Sequence, residues 1–381
     1  MTTRVVARTL IACMALSLAT GGVPARASSI FEGPAAVVLD FDTSIRGAGM
    51  GGAGAAVGWG EPGVWANPAS LAGARGLTWL QTRTRVFPKV DDDVIFTSRQ
   101  LLLGAGGLGV SLMGEPFPGV GRARLALGEF AAFGVDPVYQ EVDGIGLGVS
   151  PLRLVDALRG TPGELTSRGE LSLGFQSNVS HMTVGDATAV LTESYNWGIT
   201  GRLALARWWG PDAPFRLDLS GAFSQLNNLR AKESAFNQPP TRFRRLGAAL
   251  RLAPAAPTER SASPPSLPWW RPGDAPTISF GVAYDHDFRR SEGADEEVGI
   301  EHVGGEATLL RLVSVRVGYV SDRTGDIQGI TYGAGVTLPV GPWGSLGYDF
   351  ADVPLVSGLD RQQRHGWSVS LDPVRFWWPA P

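Results

Sequence analysis

The chain has 381 residues, among them 51 glycines, 27 prolines, 12 tryptophans and a single cysteine, Cys13, with a formal net charge of −3. One cysteine excludes a disulfide framework or a cysteine-based metal centre, and the slightly acidic balance, without any long basic tract, excludes a nucleic-acid partner. Length alone would allow about two ordinary soluble domains, but the order of elements along the chain points to another class.

The first element is a signal peptide, residues 1–27. Arg4 and Arg8 form a positive start, Thr9 to Ala19 is apolar, and Ala25-Arg26-Ala27 supplies small residues for cleavage before Ser28. Cys13 follows Leu10-Ile11-Ala12 in the manner of a lipidation box. It comes too early, however, and apolar residues rather than a polar linker come after it. Cleavage removes Arg4, Arg8 and Arg26 and no acid, leaving 30 basic against 36 acidic residues, or −6. After the signal no apolar run is long enough to cross a bilayer as a helix. An exported, glycine- and aromatic-rich chain of this kind satisfies its backbone in lipid by closing a sheet.

Residues 28–75 differ in character from the rest of the mature chain. Arg46, Gly47, Gly49, Met50 and Gly51 lie in a glycine-rich run to Gly54, and Trp65 leads to Asn67-Pro68-Ala69. Gly49, Gly51 and Gly54 match G-x-G-x-x-G, yet no acidic residue closes a second strand, so a dinucleotide site is not expected. The glycines read instead as places where backbone approaches a wall closely. Proline disfavours the helical region for Asn67, whose amide is expected to hold a turn. The segment is expected inside the lumen of a barrel.

From about residue 76 to 381 the chain reads as an all-β, antiparallel transmembrane barrel. Apolar residues alternate with small or polar ones in Leu108–Leu112, Ile145–Val149, Leu171–Phe175, Phe215–Leu219, Leu246–Leu250 and Ile278–Tyr284. The same pattern recurs in Val313–Tyr319, Ile330–Val336, Leu346–Phe350 and Trp367–Leu371. A soluble sandwich alternates too, but here the second face is Gly, Ser and Thr with scattered charge, suited to a lumen. Aromatics such as Tyr284, Tyr319, Tyr348 and Phe350 lie toward strand ends, as girdle residues do. About fifteen candidate strands emerge, where an even number, about fourteen, is expected; the pieces between Gly121 and Gly134 are the weakest. Tight turns fall at Leu310–Leu312 and Gly341–Gly344, longer loops at Asn227–Pro240 and Glu292–Val298. A Pro-rich loop spans 254–275.

Turn position fixes one contact. With the turn at Leu310-Arg311-Leu312, opposed residues sum to 622, so Glu306 meets Arg316 on the face of Ser314 and Gly318. Val303, Ala307, Leu309, Val313, Val315 and Val317 then face lipid. The pair reads as a structural lumen ion pair that pins register rather than as a substrate site. Catalytic chemistry is not expected. Asp285-His286-Asp287 reads as charge ending a strand at a rim, and Asp91-Asp92-Asp93 as a solvated loop rather than a calcium site. No metal, cofactor or nucleic-acid partner is expected.

Two motifs carry a family resemblance. R-x-x-G-M-G-x-A at Arg46–Ala53 and W-x-N-P-A-x-L-A at Trp65–Ala72 resemble the PorV/PorQ-type outer-membrane proteins, relatives of FadL-type transporters of long-chain fatty acids and other hydrophobic compounds. Gly304-Gly305-Glu306 with Arg316-Val317-Gly318-Tyr319, then Gly333-Ala334-Gly335, Tyr348-Asp349-Phe350 and Ser368–Leu371, come in the family's order. The resemblance is poor over residues 80 to 200. In this chain Ala66 separates Trp65 from Asn67, and the end is Pro379-Ala380-Pro381 rather than an aromatic. The resemblance implies fourteen strands and a lumen occluded by the N-terminal segment, with Asn67, Pro68 and Ala69 in that plug. The leading functional reading is a plugged outer-membrane channel for small hydrophobic molecules, partnered by outer-membrane lipid. The alternatives are a docking or shuttle component of a secretion system, partnered by secretion proteins, and a structural barrel.

Overall fold

A computed structural model describes residues 37–371 apart from 59–62, 88–90, 115–120, 128–137, 161–164, 167–168, 185–186, 206–214, 230–240, 255–277, 291–296, 311, 324–326, 341–343 and 356–360. The signal peptide, nearly all of the Pro-rich loop and the C-terminal tail therefore lie outside the described residues.

The chain enters through a 3-10 turn at Val37–Asp40, a short helix at Ile45–Gly49 and a second 3-10 turn at Pro68–Gly73. The sheet comes next: β1 (Gly76–Phe87), β2 (Asp91–Ala105), β3 (Leu108–Met113), β4 (Ala123–Leu127) and β5 (Val138–Val149). A helix at Pro151–Arg159 precedes β6 (Gly169–Val184), β7 (Ala187–Ala204), β8 (Phe215–Leu229), β9 (Arg242–Pro254) and β10 (Ile278–Arg290). The last strands are β11 (Val298–Leu309), β12 (Val313–Asp322), β13 (Gln328–Val340), β14 (Gly344–Val353) and β15 (Gln362–Leu371).

Neighbours pair antiparallel, and β1 pairs with β15 from Leu77 opposite Leu371 to Thr84 opposite Arg364, which closes the sheet. Fifteen strands fill fourteen wall positions among the described residues. β3 pairs with the second half of β2 and β4 with its first half, and both pair with β5. They are one wall strand interrupted after Met113, where the Gly114 amide bonds the Gly121 carbonyl at 2.7 Å. The parity conflict in the sequence, centred on this stretch, is resolved by that interruption. Both chain ends of the sheet, with the helix Pro151–Arg159, mark one rim, here the proximal rim; the hairpins joining β8 to β9 and β10 to β11 mark the distal one.

The apolar side of the alternation points outward. Val313, Val315 and Val317 are 43, 57 and 53% exposed, while Arg316 between them is 8% exposed. Ile278, Phe280 and Val282 are likewise exposed and alternate with buried Ser279 and Ala283. A belt of exposed Leu, Val and Ile on every side is stable against lipid, not water. Tyr319, Tyr332, Tyr348 and Trp367 border the belt toward the distal side. The inward-facing side chains pack on the N-terminal segment: Val38, Leu39, Trp65 and Leu71 form one buried cluster with Leu80, Phe96, Leu102, Met113, Leu125 and Val142 of the wall.

Local chemistry explains the turns. Gly106 and Gly107 join β2 to β3 with φ of 57° and 91°, the paired positive values that a two-residue hairpin of native twist demands. The β11–β12 turn reaches the same end without glycine, because Leu310 itself takes φ 52°. Two expectations need correction. Asp91–Asp93 do not form a loop; their backbone opens β2. Nor does the sheet stop at Asn227, since β8 runs on to Leu229, with Asn227 at φ 58° donating its amide to the Thr241 carbonyl at 3.0 Å.

Candidate functional site

A fourteen-strand wall encloses more space than its own side chains fill. The described part of the N-terminal segment, residues 37–58 and 63–74, lies in that space and is held to the wall at many points. Val38 donates its amide to Gln140 at 3.1 Å, and Phe41 stacks on Phe96 with centroids 5.0 Å apart. Ser44 caps the short helix by accepting the Gly47 amide at 2.9 Å. That cap turns Arg46 toward β11, where its Nε and Nη2 meet the Glu306 carboxylate at 2.7 and 2.6 Å.

Glu306 stands opposite Arg316 in the β11–β12 pairing, and the two side chains meet at 2.7 Å inside the barrel. Arg316 also reaches Asp349 of β14 at 2.5 Å. The result is a row of two guanidiniums and two carboxylates, buried except at Asp349, that joins the segment to three strands. Sequence periodicity places Glu306 and Arg316 on one face; Arg46 and Asp349 join only through the closed fold.

Beyond Arg46 the segment runs over wall glycines. Gly49 lies against Gly333 and accepts the Thr331 hydroxyl at 3.0 Å. Met50, 1% exposed, occupies the space that Cβ atoms at Gly304 and Gly318 would fill. Gly51 takes φ 72°, and any side chain there would meet the Tyr319 and Val303 backbone at 2.7–2.8 Å. Its carbonyl lies 2.6 Å from His302 Nδ1, whose Nε2 lies 3.2 Å from Asp287. Arg245 grips the same Asp287 with two nitrogens. Asp285 accepts the Gly54 and Ala55 amides at 2.7 and 2.8 Å.

The reading of Asp285-His286-Asp287 as a rim group is thus corrected. β10 continues to Arg290, and Asp285 and Asp287 point inward at 0 and 2% exposure, one fastening the segment and the other its anchor His302. The parity of β10 carried that signal, since both aspartates share the face opposite Tyr284.

Asn67 closes the anchoring. Its side-chain oxygen accepts the Ala69 amide at 3.0 Å and caps the Pro68–Gly73 turn, which proline opens. Its amide nitrogen is shared among Thr200 Oγ1 at 3.0 Å, the Ala55 carbonyl at 3.2 Å and the Ile199 carbonyl at 3.3 Å. Gly198 leaves room for that amide, and Gly174 leaves room for the Pro68–Ala69 peptide. Ser224 donates to the Ala66 carbonyl at 2.8 Å. The sequence does not single out these wall glycines and hydroxyls, because nothing local distinguishes them from other small lumen residues.

The segment separates two cavities that share no lining residue. The distal one holds about 400 Å³. Its floor is Ala48, Gly51, Gly52 and Trp65, its sides include Phe87, Leu226, Phe243, Ile300 and Val353, and Asp40, Asp42, Arg289 and Arg364 add charge. Burial pushes the Asp40 carboxyl up to about 7, against the pull of Arg289 and Thr241. The proximal cavity holds about 70 Å³ beneath Ala55, Val57 and Ser70.

No family model matches this chain, and no curated protein matches it. Solved structures do. A FadL homologue of Pseudomonas aeruginosa shares 11% identity over 87% of this chain and 98% of its own, with a TM-score of 0.41. The toluene transporter TodX of Pseudomonas putida shares 9% over 86% and 97%, with a TM-score of 0.44. The monoaromatic hydrocarbon channel CymD shares 11% over 90% and 98%, with a TM-score of 0.38.

Proposed function

We propose that this chain is an outer-membrane channel for small hydrophobic or amphipathic molecules, held closed by its own N-terminal segment. One observation carries the reading: a mainly apolar cavity of about 400 Å³ lies on one side of the segment and a separate small polar one on the other. That volume falls in the range of roughly 300–1,000 Å³ typical of small-molecule sites. A solute entering from the distal rim meets Phe87, Phe243, Leu226 and Ile300, then Trp65 and the glycine turn at Gly51–Gly52. To go further it must displace the segment. The polar contacts nearest that turn, which would have to yield, are Arg46 on Glu306, Gly51 on His302, and the Gly54 and Ala55 amides on Asp285.

The residues behind the PorV/PorQ resemblance, Arg46 to Ala53 and Trp65 to Ala72, are largely these anchoring residues. The resemblance therefore bears on closure, which a channel and a docking component would share, and not on cargo. The apolar distal cavity favours the channel. Uptake into proteoliposomes tests it. Native protein should admit an aromatic hydrocarbon or a medium-chain amphiphile faster than protein-free vesicles do, and should not admit a sugar of similar size. Equal exclusion of both classes, with secretion proteins co-purifying, would overturn the channel in favour of docking.

A further inference from the structure

The proximal cavity has a chemistry of its own, unrelated to the apolar one above it. Wall and segment both send polar groups into it: Arg202 from β7, Glu170 from β6, Ser220 from β8, Arg153 from the helix Pro151–Arg159, and Ser70 from the segment. Glu170 is already satisfied, because Arg153 holds it with Nε at 2.6 Å and Nη2 at 2.8 Å. Arg202 is not. A guanidinium carries five donors in a fixed fork, yet Arg202 reaches Glu170 only at 3.4 Å and the Thr166 carbonyl at 3.5 Å, both from Nη2. Its Nε is buried without a partner, and so is the Ser70 hydroxyl on the facing side of the cavity.

Among the described lining residues two arginines face one glutamate, and the neighbouring Arg216–Asp218 pair adds no net charge, which leaves one positive charge in excess. Water could fill the volume but could not neutralise it, and a partly buried guanidinium with an unpartnered Nε favours an anion it can grip with two parallel bonds. We propose that this cavity binds a small oxyanion, a carboxylate or phosphate group, held by Arg202, whose Nε lacks a partner, and by the likewise unpartnered hydroxyl of Ser70. The site stands whether or not the distal cavity carries cargo. Because Ser70 belongs to the segment and Arg202 to the wall, a bound oxyanion would also tie the two together.

The test is calorimetric titration of the full-length mature protein in non-ionic micelles, against chloride at matched ionic strength. Inorganic phosphate, acetate and octanoate serve as probes. Saturable binding of phosphate or acetate supports a site for the free anion. Binding of octanoate alone supports a site for the head of an amphiphile. Arg202→Gln should weaken the bound probe by about tenfold or more, the loss expected for a charge-assisted hydrogen bond. Ser70→Ala should weaken it by about threefold to tenfold, and gives the reading should Arg202→Gln not assemble. Arg83→Gln, on the exposed outer face, should change nothing. Native protein that binds none of the three probes would overturn the proposal, as would an assembled Arg202→Gln variant that binds as tightly as native.

Discussion

Glu306 sits between two arginines with little access to water, so its removal and theirs are not equivalent. Glu306→Gln removes the carboxylate that both Arg46 and Arg316 grip. Removing one partner of a buried ion network destabilises by about 3–5 kcal/mol. Arg46→Met leaves Glu306 still paired with Arg316 and should cost much less. Reversible unfolding in urea, followed by gel mobility, should show that order, and the double variant should recover part of the Glu306→Gln loss. The opposition of 306 and 316 follows from turn length and period two alone. Arg46 lies 260 residues away from Glu306 in sequence and Asp349 lies 33 from Arg316, and no local pattern reports either.

Asp40 gives a second residue-scale expectation, through pH. Its carboxyl is raised from 3.8 to about 7 by burial. A raised acid is easier to keep folded when protonated, so the stability it confers is present in full below about 4 and is lost as pH rises through 7. The whole effect amounts to roughly 4 kcal/mol. Protection of the segment against added protease should fall between about pH 4 and 7, and Asp40→Asn should flatten that profile. A profile of equal slope in the variant would assign the titration to another group.

At the scale of elements, the segment depends on wall glycines that leave room for its backbone. A side chain at Gly174 would overlap the Pro68–Ala69 peptide, whereas one at Gly201 meets nothing within 4 Å. Gly174→Val should therefore unseat the Pro68–Gly73 turn and raise permeability to small solutes, with the barrel still formed. Gly201→Val should do neither. If both variants behave alike, the close approach at Gly174 does not hold the segment. Contacts of this kind are not legible in the sequence, although the strands are. Alternation in β10 and β12 makes the strands plain, because lipid outside and a polar lumen inside demand opposite chemistries at successive residues. It does not reveal that β3 and β4 share one wall position, since each half carries an ordinary strand pattern and only their common partners β2 and β5 unite them. Nor does it reveal which lumen glycines carry the segment, since that depends on which part of the segment crosses each strand.

For the whole molecule, the proposed function rests on one relation: the wall would make the passage and the N-terminal segment would close it. The sheet closes through strand residues alone, β1 on β15, so wall and closure can be tested separately. Single-channel recording in planar bilayers compares native protein with a variant lacking residues 28–72 of the exported chain, both checked for the heat-modifiable mobility of a folded barrel. Native protein should show no steady conductance, and the shortened protein should show a large, persistent one. A folded deletion variant with the same closed baseline as native protein would contradict closure by the segment.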